Sequence, residues 1–280
     1  MTTERQCFYN PREVCEEVKR KVNEANLKSE KIDYLTFVPD GEPTLDLNLG
    51  KEVFLLKEIG IPKAVITNAS LLWSDDVRKD LLSVDYVSLK IDTVNENLWR
   101  RINRPHKDLK LGTILEGMTE FARQFRGTLV SETMLTDGVN YRGDYEEVSD
   151  FLRRLKGLDK AYIAIPTRPP TENWVKPAKE ETINTAFQIF SEKLGANRVE
   201  YLIGYEGNAF AFTGKVVDDL LNITAVHPMR REAAEEFLRK ADSDWSVIER
   251  LLREGRLLEL QYEGNAYYMR RLPSTTCRST

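Results

Sequence analysis

At 280 residues the chain is long enough for one α/β barrel or for two domains, and 41% hydrophobic with 31% charged residues describes a soluble globular protein. A formal net charge of −4 argues against a globally basic nucleic-acid binder, while leaving room for a local basic patch. No apolar run approaches a membrane span and the polar start MTTERQ is no secretory signal, so a cytoplasmic protein is expected.

Pro11 opens a helical stretch to about Leu27, with Val14, Val18 and Val22 on one face. Short apolar runs at 32–38, 63–67, 86–91, 128–133, 161–165 and 198–202 read as strands of a parallel sheet covered on both faces. Helical patterns fall between them at 45–59, 75–82, 96–102 with 111–125, 145–155 and 179–194. Gly127 and Gly157 stand where helices should end. The expected fold class is therefore α/β, a (βα) TIM-like barrel or an open doubly wound sheet.

The composition shifts after Gly204. The organisation expected is a barrel unit over 1–204, a connecting segment over 205–226 with one short helix at 216–221, and a small C-terminal unit over 227–280. In that last unit, helices at 229–241 and 245–254 precede a hairpin of 257–262 and 266–270 around Glu263-Gly264-Asn265. Helix, helix and hairpin make the plan of a winged helix, and the polar tail 273–280 is expected to be disordered.

Ligands of α/β enzymes bind at the carboxyl ends of parallel strands. The run 32–38 stops in Pro39-Asp40-Gly41-Glu42-Pro43-Thr44. There Gly41 lets a ligand approach the backbone, and Pro43 holds Glu42 extended so that nearby acceptors can meet an ammonium group. An ordinary loop with Thr44 as helix N-cap is the competing reading. Thr67-Asn68-Ala69-Ser70 ends the next strand with small hydrogen-bonding groups. Lys90 and Asp92 share one face of the following strand, and Glu132 sits in an apolar strand; such charges need each other or a ligand. Arg168, set between Pro166 and Pro169, and Lys107, after Arg104-Pro105-His106, are candidate substrate-binding cations. A structural ion pair for Lys90 and Asp92, and a surface turn for Arg168, are the plain alternatives.

The phrases DYLTFVPDGEPTLDLNLG, AVITNASLLW, VSLKIDTVNENLWRRINRPH, AIPTRPP and AVHPMR together resemble the radical S-adenosylmethionine superfamily, and within it iron–sulfur oxidoreductases akin to wyosine-synthesis enzymes. The resemblance implies a partial barrel that holds a 4Fe–4S cluster on a C-x3-C-x2-C loop and cleaves S-adenosylmethionine to a 5′-deoxyadenosyl radical. By the same resemblance Gly41, Glu42, Pro43 and Thr44 would meet the methionine ammonium, and Asn68 and Ser70 would lie near methionine or ribose. Lys90 and Asp92 would take the carboxylate and ribose hydroxyls, and Glu132 would contact ribose or substrate. It also implies an RNA or protein substrate and a reductant such as flavodoxin or ferredoxin.

No C-x3-C-x2-C exists in this sequence, whose cysteines are Cys7, Cys15 and Cys277. The opening residues resemble the segment after the cluster loop, so the expectation is a misplaced start or a truncation that removes the cluster-bearing first strand. A genuine fragment and a cluster-free descendant are the other readings. As written, the chain is expected to form no cluster and to perform no radical chemistry. Two rival functions stand beside this one. The winged unit could bind nucleic acid, although Glu232, Glu235 and Glu236 offset Arg230, Arg231 and Arg239. Alternatively, a cluster-free barrel enzyme could use Glu132 or Lys90 as general base, with Arg168 and Lys107 holding a phosphate.

Overall fold

The computed structural model of the protein describes residues 2–38, 41–203 and 210–271. Pro39, Asp40, Cys277 and the tail 273–280 lie outside the described residues. The chain divides into two compact units: Met1–Lys19, Ile32–Thr167 and Glu172–Gly204 form one, and Arg20–Lys31, Arg168–Thr171 and Tyr205–Thr280 the other.

The first unit is built on six parallel strands that pair in chain order: β1 (Leu35–Phe37), β2 (Lys63–Thr67), β3 (Tyr86–Lys90), β4 (Thr128–Met134), β5 (Leu158–Ala164) and β6 (Val199–Leu202). Parallel neighbours need crossover connections, and helices supply them. These are α2 (Leu49–Leu55), α3 (Asp75–Leu81), α4 (Glu96–Ile102), α5 (Leu111–Gln124), α6 (Asp144–Arg154) and α7 (Glu180–Leu194), preceded by α1 (Pro11–Leu27). Local chemistry sets their ends. The Asn95 side chain accepts from the Asn97 and Leu98 N–H groups to start α4, and Asp144, Glu146 and Glu147 place negative charge in the first turn of α6.

Val65, Val87, Leu89, Ala161 and Ile163 are fully buried in the core of this unit, beside Phe121, Leu152 and Phe190 of the helices. The opposite face is covered only in part: Ala64, Ser88 and Val130 are buried on it, but its edge toward β1 is not. By strand alternation and register, Tyr34, Thr36, Val38, Ile66 and Tyr86 share that face, and Ile66, Tyr34 and Val38 remain 46%, 43% and 40% exposed.

Two local expectations are corrected. The single helix expected over 45–59 is broken into a 3₁₀ turn Pro43–Leu45, α2 and a second 3₁₀ turn Leu56–Ile59. The break follows from Asp46, whose carboxylate accepts the Asn48 N–H at 2.7 Å. Gly127 is no helix-terminating left-handed residue; a Cβ there would lie 2.4 Å from the Asp85 carbonyl oxygen, so the position serves a close backbone approach. Gly157, at φ 77°, has the left-handed conformation expected of it.

In the second unit α8 (Val216–Val226), β7 (Met229–Arg230), α9 (Arg231–Lys240), α10 (Ser246–Arg253), β8 (Leu257–Tyr262) and β9 (Asn265–Arg270) follow in order. The three strands form an antiparallel sheet in the order β7-β9-β8. Within the supposed connecting segment, the helix expected at 216–221 extends to Val226, and Phe212, Leu220 and Leu221 join Phe237, Ile248, Leu251 and Tyr268 in one core. Positive φ at both Glu263 (47°) and Gly264 (74°) makes the hairpin connection a two-residue turn matched to strand twist.

Candidate functional site

The turn after β1 is organised by the Glu42 carboxylate. One oxygen accepts from the Thr44 N–H (3.1 Å), the Thr44 hydroxyl (2.6 Å) and the Thr67 hydroxyl (2.6 Å); the other accepts from the Asn68 N–H (2.8 Å). Glu42, not Thr44, is the cap of the short helical turn that follows. Burial pushes the Glu42 carboxyl up, against the pull of the four hydrogen bonds. The carboxylate therefore ties the ends of β1 and β2 together. Next to it Ala69 holds the left-handed conformation at φ 60° while fully buried, an uncommon state for a residue with a Cβ.

The ends of β3 and β4 carry the charged groups. Register sets Lys90 opposite Glu132, with the Lys90 ammonium 3.9 Å from Glu132 and 3.2 Å from Asp92. Burial alone would lower the Lys90 ammonium, but the charges of Asp92 and Glu132 outweigh it and hold its pKa above the ordinary lysine value. The Asp92 side chain is only 1% exposed. It accepts from the Met134 N–H at 2.8 Å and from the Asn103 amide at 2.6 Å, besides meeting Lys90.

A cavity of about 610 Å³ opens at these strand ends. Gly41, Glu42, Asn68, Ser70, Lys90 and Asp92 line it, six of the residues singled out from sequence. Pro43 and Thr44 are buried beneath the turn, and Glu132 reaches the group only through Lys90. Lys107 is exposed and does not line the cavity; its neighbours Arg104 and His106 do, because the chain turns back there, the Leu109 N–H donating to the His106 carbonyl. Arg168 belongs to the second unit and is not among the lining residues. The sequence reading missed the apolar wall, formed by Trp99, Ile102, Ile114, Met118 and Trp174, and it missed Asn103. The spacing of Trp99 and Ile102 on α4 and of Ile114 and Met118 on α5 reads as ordinary helix-to-sheet packing, which hides a second use.

Residues 4–155 match the family model described as the radical SAM superfamily. The chain belongs to that superfamily. It is 45% identical over 274 residues to the UPF0026 protein MJ1312 of Methanocaldococcus jannaschii, covering 98% of this chain and 84% of that one. Among solved structures, a radical SAM methyltransferase from Sphaerobacter thermophilus superposes with a TM-score of 0.51 at 17% identity, over 69% of this chain and 58% of that one. Archaeal TYW1 is also similar, with a TM-score of 0.47 at 12% identity over 69% of this chain and 66% of that one. The six-stranded parallel sheet is thus that of a radical SAM partial barrel.

The superfamily implies S-adenosylmethionine and a 4Fe–4S cluster, and the two fare differently. The strand-end cavity supplies acceptors, a protonated lysine and an apolar wall, a donor set suited to a zwitterionic nucleoside. The cluster does not fit the described residues. Cys7 is exposed, Cys15 is buried with its thiol against the Leu55 carbonyl, and among the described residues no group of three His, Cys, Asp or Glu side chains could hold a metal ion. Thiolates are the ligands such clusters require.

Proposed function

We propose that this chain binds S-adenosylmethionine in the cavity at the ends of β1–β4, as the cofactor-binding body of an iron–sulfur oxidoreductase that yields a 5′-deoxyadenosyl radical. The observation that carries this reading is the convergence of Lys90, Asp92, the Gly41–Glu42 turn, Asn68 and Ser70 on one cavity. Lys90 stays protonated and so offers a cation to a carboxylate, while acceptors around Gly41 and Asn68 suit the ammonium. The apolar wall takes the nucleoside.

Equilibrium dialysis of the full chain against S-adenosylmethionine tests the reading. Binding should weaken about tenfold on Lys90→Met, the loss of one charge-assisted contact. No detectable uptake by the unsubstituted chain at millimolar ligand would sink it. Anaerobic treatment with iron and sulfide should leave the chain without stoichiometric iron, measured by metal analysis.

The winged-helix reading of the second unit rests on the order helix, strand, helix, helix, strand, strand from α8 to β9. Its cations are met locally: Arg231 pairs with Glu235, and Arg250 and Arg256 both approach Glu254. A packing or protein-binding role therefore outranks nucleic-acid binding. A salt-dependent mobility shift of labelled tRNA or duplex DNA by the chain would reverse that order. A cluster-free enzyme with Lys90 as general base is disfavoured, because a lysine held protonated by two carboxylates is a poor base.

A further inference from the structure

Beside the strand-end cavity lies a second, more open one of about 460 Å³, lined by Arg101, Arg104, Glu172 and Trp174. All four belong to the first unit, and Arg104 and Trp174 line both spaces, so the two adjoin. The Arg104 guanidinium pairs with the Glu172 carboxylate through Nη1, and Arg101 donates to the Gly138 carbonyl at 3.3 Å. A guanidinium carries five N–H donors, so one such contact leaves most of its fork free. Both side chains of the ion pair are exposed, at 57% and 41%, so the pair adds little to stability and can be exchanged. Trp174 stands 41% exposed next to them. Arg104 is also held at a cost. It has φ 48° directly before Pro105, a left-handed conformation disfavoured both for a bulky residue and for one preceding proline. Strain of this kind clusters at ligand sites.

We propose that Arg104 and Arg101 form a subsite for the carboxylate of a small organic acid, the second substrate, and that Glu172 is the internal placeholder which that acid displaces. Two guanidinium groups against one carboxylate leave the compartment one positive charge in excess, which suits a singly charged group better than a dianionic phosphate. The resident Glu172 shows that a carboxylate meets the Arg104 fork as the side chains stand. The Trp174 ring gives the acid's apolar body a surface to lie on, and the space is that of a small-molecule site. This rests on the reading of the neighbouring cavity as the S-adenosylmethionine site, because an acid held here meets that ligand across the shared boundary of Arg104 and Trp174.

The test titrates the full chain, Arg104→Gln and Glu172→Gln with phenylacetate and with the uncharged 2-phenylethanol by ligand-observed NMR, after circular dichroism has shown each variant folded. Phenylacetate should bind at least about tenfold more tightly than 2-phenylethanol, and about tenfold more weakly to Arg104→Gln. Glu172→Gln should bind it about threefold more tightly, since the competing carboxylate is gone; a merely structural ion pair produces no such gain. Unchanged or weakened binding by Glu172→Gln would overturn the placeholder assignment, and equal affinity for acid and alcohol would overturn the subsite. So would the absence of phenylacetate binding by both the unsubstituted chain and Glu172→Gln. S-adenosylmethionine uptake, measured in parallel, separates the two readings: its failure with the phenylacetate pattern intact removes the neighbouring cofactor site alone, and the reverse pattern removes the acid subsite alone.

Discussion

Two buried carboxylates of the first unit have opposite relations to their surroundings, and each gives a measurable consequence. Glu42 accepts four hydrogen bonds, so Glu42→Ala strands the Thr44 and Asn68 N–H groups; a loss of about 3 kcal/mol in a denaturant melt is expected. Glu52 on α2 is buried, its Oε1 has no partner, and burial together with the nearby Asp46 charge pushes its carboxyl up to about 7 from 4.5. The folded state therefore holds this proton more tightly than the unfolded chain does. Its contribution is fully present below about pH 4.5 and is lost as the pH rises through 7. Asp144, raised to about 6 chiefly by burial, adds the same trend over a lower window. Glu52→Gln should accordingly stabilise the chain at pH 8 by about 2 kcal/mol and do little at pH 4, as followed by melting at both values. A variant whose gain is the same at both pH values would show that proton binding is not the cause. Sequence reasoning could find Glu42 from its turn chemistry; the direction its carboxylate takes, inward to Thr44, Thr67 and Asn68, depends on how β1 and β2 lie side by side.

At the scale of elements, α5 carries two glycines with different reasons for being there. A Cβ on Gly112 would meet nothing within 4 Å, whereas one on Gly117 would stand 2.2 Å from the Leu72 carbonyl oxygen. Gly112→Ala should then gain roughly 0.5–1 kcal/mol from helix propensity. Gly117→Ala should lose about 2 kcal/mol or more despite the same propensity, because the helix must back away from the chain at Leu72–Trp73. Thermal melts of the pair check this, and equal effects would refute it. Elements themselves were largely legible: the strand at Lys63–Thr67 and the helices at Pro11–Leu27 and Glu96–Ile102 have the bounds that apolar runs and flanking signals suggest. The expected helix over 45–59 was not, since its break is made by the Asp46 side chain bonding the backbone two residues on. Likewise β7, two residues long, exists only through its pairing with β9, which nothing local announces.

For the molecule as a whole, six strands with intervening helices were legible as alternating patterns, whereas their pairing in chain order was not, since a barrel and a doubly wound sheet share that pattern. What the sequence could not convey is that helices cover one side of the sheet and leave the other partly bare. Strand residues such as Ile66 look the same in a linear pattern whether or not anything lies above them. That bare side has a practical corollary for the bench. Solvatochromic dyes of the kind used to report molten globules respond to clustered apolar surface, and Tyr34, Val38 and Ile66 offer it in the folded state. The untouched protein should fluoresce brightly with such a probe at room temperature, so melting midpoints are better taken from circular dichroism.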